Sequence, residues 1–192
     1  MIHGVLWKQH TIRERDMNMS KHPCRKAFEK GQEFRQRTPL KSGRYKIEEA
    51  AKRLRDMRTT LKGIAEITCA RGKYPPGTHL PCCEPSNRAT FLKGVPQDIC
   101  SLLGREILPG IEALGGDGVS PAKVQKLATL ARRRAEAIIG NAERVHDLLK
   151  GKGGIQIEYG AQIAGESYLN CLFEDTQELI WAALDACSHE PA

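Results

Sequence analysis

The 192 residues suffice for one domain with a genuine core, or for one such domain with a loose appendage. A hydrophobic share of 40% and a charged share of 28% are ordinary for a globular chain, while aromatics at 5% require an aliphatic core. The longest unbroken apolar run, Leu179 to Leu184, falls far short of the roughly 20 residues that cross a bilayer, which excludes a membrane-spanning helix.

The net charge of +7 hides a gradient. Residues 1–80 hold 19 basic against 8 acidic side chains, residues 81–153 hold 11 against 8, and residues 154–192 hold 7 acidic side chains and no basic one. Residues 1–20 lack the apolar run and small-residue cleavage site of a secretory signal, so a cytoplasmic setting is expected and this stretch reads as a mobile basic tail. The seven cysteines have no framework spacing and are read as reduced thiols.

In chain order, the first expected element is a short helix within Pro23–Arg37, where Cys24, Ala27, Phe28, Gly31 and Phe34 recur at helical spacing and Gly31 weakens the pattern. It belongs to a basic N-terminal arm, residues 1–45, ending in a linker marked by Pro39, Ser42 and Gly43. Residues 46–192 are expected to form the helical domain. Its first helix, 46–70, carries Ile47, Ala50, Leu54, Met57 and Leu61 on one stripe. Within it, residues 47–64 superficially resemble a helix-turn-helix, but Arg55 occupies the turn position usually held by glycine and the apolar stripe runs through without a break. One continuous helix is the expectation.

From Arg71 to Val95 the residues Pro75, Pro76, Gly77, Pro81 and Pro85 predict a long irregular loop. Pro96 then suits the first turn of a helix carrying Ile99, Leu102, Leu103, Ile107, Ile111 and Leu114, which Pro109 should kink or end early. Ser120-Pro121 reads as an N-cap followed by a first-turn proline, opening a helix to about Lys150 that Gly151 terminates. Residues 155–159 alternate like a strand without a partner, and a turn or helical extension is favoured. The last helix, from about Ala161 to Ser188, is broadly apolar. The fold expected is all-α, an antiparallel bundle of about four main helices with a proline-rich loop and a flexible basic arm.

No catalytic signature is legible. Cys and His pairs across the fold lack any local motif, His146 is expected to face solvent beside Asp147, and Gly151-Lys152-Gly153-Gly154 lacks the pattern of a phosphate loop. Zinc on Cys69, His79, Cys82 and Cys83 is a minority reading, because adjacent cysteines rarely share one ion and the knuckle spacing is missing. His22 and Cys24 could contribute from the first short helix, but nothing in the sequence brings them close. No cofactor is therefore expected.

The remaining feature is surplus positive charge. Arg53, Arg55, Arg58 and Lys62 on the first long helix, with Lys123, Lys126, Arg133 and Arg134 on the next, are the residues expected to contact phosphates or carboxylates. The expected function is that of a regulatory or binding protein, not an enzyme, whose basic N-terminal half engages nucleic acid backbone or an acidic protein surface. The alternative is a protein-interaction module or homo-oligomeric adaptor.

Overall fold

The computed structural model describes residues 22–37, 42–69, 85–150 and 159–188. Among these residues the ordered structure is entirely helical, without a strand: α1 (Pro23–Arg37), α2 (Gly43–Cys69), α3 (Pro85–Leu102), a π turn (Leu103–Ile107), α4 (Leu108–Ala113), a 3-10 turn (Leu114–Asp117), α5 (Pro121–Lys150) and α6 (Tyr159–Ser188). Residues 47–64 lie within the single helix α2, so the helix-turn-helix does not form.

Two expectations around the prolines need correction. The long loop does not reach Val95, because the chain is already helical from Pro85, and Pro96 lies inside α3 instead of opening it. Of the kink or early end expected at Pro109, the early end does not occur. An interior proline lacks an N–H and its ring collides with the carbonyl four residues earlier. The helix widens here into a π turn, with the Leu108 N–H reaching the Leu103 carbonyl five residues back, and Pro109 falls in the first turn of α4. Widening the ladder just ahead of the ring relieves that collision, and the rod continues to Asp117.

The apolar stripes converge on one aliphatic core. Ile47, Ile99, Leu103, Ile107, Ile111, Ile139, Leu169, Leu172 and Phe173 are fully buried within it. Helix α1 joins this core through Cys24 and Phe28, making a fifth long helical stretch among the described residues. Gly31 is buried at its crossing, where a Cβ would stand 2.8 Å from the Ser101 carbonyl oxygen, and a Cβ on Gly104 would stand 2.3 Å from the Phe28 carbonyl oxygen. The glycine that weakens α1 as an isolated helix thus permits its backbone to touch the α3–π rod.

Polar contacts give the helix directions. His22 meets Asp147 while Arg25 meets Glu143 and Glu136, so α1 runs antiparallel to α5. Lys123 donates to the Ala186 carbonyl and Arg134 to Glu178, so α5 and α6 are antiparallel as well. At 1.5 Å rise per residue each of these two 30-residue helices is about 45 Å long.

The ends are capped as their residue types require. Ser42 accepts the Tyr45 N–H, and Asp117, arriving from the 3-10 turn, accepts the Arg44 N–H at 2.9 Å, so two oxygens serve the α2 N-terminus. Gly118, at φ +93°, occupies the left-handed conformation that closes the 3-10 turn. The Val124 N–H bonds the Ser120 carbonyl at the start of α5, as Ser-Pro predicts.

Candidate functional site

Eight cations carry the expected binding surface, and the fold treats them unequally. Arg53 reaches back to Glu106 at 2.7 Å, Arg58 lies 3.7 Å from Glu174 and donates to Gln177, and Arg134 approaches Glu178 at 3.5 Å. Lys123 is half-buried and bonded to the Ala186 carbonyl. Arg55, Lys126 and Arg133 stand exposed, while the Lys62 side chain lies outside the described residues. Helix α6 packs against both α2 and α5, and it offers Glu174 to Arg58 and Glu178 to Arg134. Part of the positive excess is thereby neutralised within the molecule, at contacts that face solvent and are individually weak.

Arg53 serves a different purpose from a surface contact. Glu106 sits in the π turn, buried at 6% exposure, and burial pushes its carboxyl above the usual glutamate range although Arg53, Arg105 and Lys46 pull the other way. Its guanidinium partner is accordingly part of the fold's electrostatics.

A second constellation was not legible in the sequence. His146, expected in solvent, is 6% exposed, because the α5 face bearing Glu143, His146 and Asp147 packs against the start of α1. There the His22 and His146 rings meet edge to face with centroids 5.0 Å apart. His22 Nε2 lies 3.2 Å from Asp147 Oδ1, His146 Nδ1 lies 3.6 Å from the same oxygen, and the three donor groups fit within 4.8 Å of one another. His22 Nδ1 accepts the Cys24 N–H at 3.2 Å, so the ring also acts as an N-cap for α1. One turn along, Arg25 binds Glu136 at 2.8 Å and lies 3.7 Å from Glu143. Burial works against the Arg25 charge, but these carboxylates outweigh it and hold the guanidinium proton more firmly than usual. The separation of 125 residues between His22 and Asp147 hides this cluster from any local motif; the only clue was the i, i+3, i+4 spacing of Glu143, His146 and Asp147.

Beneath it Cys24 and Cys100 are both fully buried and hydrogen-bonded to each other. That bond, with burial, pushes the Cys100 thiol far above the ordinary range, so it remains protonated and a poor nucleophile. Cys24 is thus a core thiol, two residues along the chain from His22. The other metal candidates, His79, Cys82, Cys83 and the Cys69 side chain, lie outside the described residues.

A cleft of about 280 Å³ opens over Phe28, Leu108 and Pro109 between α1 and α5. Its charged rim is engaged in internal pairs, Arg132 with Glu112 at 2.7 Å and Glu136 with Arg25. No helix among the described residues is long and apolar enough to cross a membrane. No family model, curated protein or solved structure matches the chain.

Proposed function

We propose that this helical bundle acts by binding, not by catalysis, and that exposed cations of α2 and α5 contact the phosphates of a nucleic acid backbone. The observation that carries the reading is the exposure of Arg55, Lys126 and Arg133 while acidic groups of α6 are engaged by neighbouring arginines. Released counterions would drive such contacts, and the low aromatic content of the chain, 5%, favours a duplex over stacked single strands. A generic DNA duplex titrated at several salt concentrations tests it. Log affinity should fall linearly with log salt, and the triple variant Arg55→Ala, Lys126→Ala, Arg133→Ala should lower the slope by about 3. Absence of binding at about 50 mM salt removes the reading.

One observation favours protein docking instead. Trp181 and Tyr168 on α6 are 58% and 53% exposed, in a helix that also exposes Glu174, Asp175, Glu178 and Asp185 and bears no basic residue. Such a face suits a basic protein surface, including the cationic helices of a second copy. Light scattering of the eluting protein distinguishes the two: a dimer weakened by Trp181→Ala supports docking between copies, and a monomer at all concentrations opposes it.

A further inference from the structure

We infer that His22, His146 and Asp147 form a binding site for a divalent transition-metal cation that clamps the start of α1 to α5. The inference is independent of nucleic acid or protein binding and rests on donor chemistry and spacing. Around a tetrahedral ion with bonds of 2.0–2.1 Å, neighbouring donor atoms stand about 3.3 Å apart. Here the two imidazole nitrogens lie 3.2 Å and 3.6 Å from Asp147 Oδ1, close to that spacing on two edges, and all three donors lie within 4.8 Å of one another, so small side-chain adjustments close the set around an ion. Two nitrogen donors and one carboxylate select zinc, cobalt or nickel over magnesium or calcium, which prefer oxygen ligands.

The surroundings fit a dication. The side chains of His22 and His146 are 16% and 8% exposed, whereas that of Asp147 is 67% exposed, so the donors reach from the protein interior to solvent, from which an ion and a completing water ligand can enter. Glu143, one turn back on the same face, has its Oε1 buried without a hydrogen-bond partner and offers a negative charge or an acceptor for a bound water. Three carboxylates, Asp147, Glu136 and Glu143, meet His22 and Arg25 along this seam.

Binding also changes a proton's position. With His22 Nδ1 accepting the Cys24 N–H, the neutral ring carries its proton on Nε2, toward Asp147. An ion on Nε2 requires the proton on Nδ1, so the Cys24 hydrogen bond opens as the coordinate bond forms, and no proton is released by this residue. The clamp replaces a cap made by one hydrogen bond with a cross-helix link.

Titration of the full chain with zinc against a chromogenic chelator, and with cobalt followed by visible absorption, tests the site. One equivalent should bind, cobalt should develop ligand-field bands, and zinc should raise the thermal midpoint. His22→Ala and Asp147→Asn, whose helical circular-dichroism spectra are compared with that of the parent chain to check the fold, should each weaken binding by about tenfold or more. The combined variant Cys69→Ser, His79→Ala, Cys82→Ser, Cys83→Ser should leave it unchanged. Lack of stoichiometric binding, or binding lost in that combined variant and kept in His22→Ala, would overturn the assignment.

Discussion

At the scale of single residues, two carboxylates show how placement sets the sign of a charge's contribution. The Glu106 carboxyl is pushed up by burial, so its contribution to stability is present below the ordinary value of 4.5 and is lost as the pH rises through its higher folded value. At neutral pH it depends on Arg53. Arg53→Ala should destabilise by about 1–2 kcal/mol at pH 7, with the deficit shrinking as acid protonates Glu106, whereas Glu106→Gln should be nearly neutral. Urea unfolding of both variants at pH 7 and pH 4 measures this. Asp117 behaves oppositely. Burial resists its ionisation, but hydrogen bonds from Ser42 and from the Arg44 and Gly43 N–H groups prevail and hold its carboxyl below the usual 3.8. Its stabilisation is complete well above pH 3.8 and disappears as the pH falls through the lower folded value. Asp117→Ala should therefore cost about 1 kcal/mol at pH 7, and acid unfolding of the two proteins should converge at the lowest pH.

At the scale of the element, the rod from Pro85 to Asp117 shows where periodicity and punctuation part company. Its apolar spacing, Ile99 through Leu114, was legible because burial on one helix face leaves a period in sequence. The effect of Pro109 was not, since a proline states which hydrogen bond is missing but not how the backbone accommodates the loss. Here packing of Leu103 and Ile107 into the core keeps the rod continuous and a π turn absorbs the ring. Gly104 in that turn is held by contact with the Phe28 backbone. Gly104→Ala, which would favour a helix in isolation, should instead destabilise by about 1–3 kcal/mol through forced separation of α1 from the rod; thermal unfolding with a Gly140→Ala control, where a Cβ meets nothing, separates the two effects.

At the scale of the whole molecule, the charge gradient along the chain becomes a contact between helices. Glu174 and Glu178 of α6 face Arg58 and Arg134 across distances of 3.5–3.7 Å, at side chains open to water. Pairs of this kind are worth at most about 1 kcal/mol. Arg134→Ala should consequently shift the unfolding midpoint little, and any larger loss of polyanion affinity would reflect binding and not stability; equilibrium unfolding paired with a salt-dependent duplex titration checks both.

The amino-acid sequence by itself determined the helical class, the single helix through residues 47–64, the Ser120-Pro121 start and most of the buried stripe, since all of these follow from spacing within one segment. Only the tertiary structure decided that α1 shares the core, that His146 lies buried against His22, and which cations remain exposed. Local period says that a face will be covered, but the identity of the covering helix depends on how five stripes are satisfied together. The residues brought together at such crossings stand far apart in the chain, His22 and Asp147 by 125 positions, and leave no joint pattern in it.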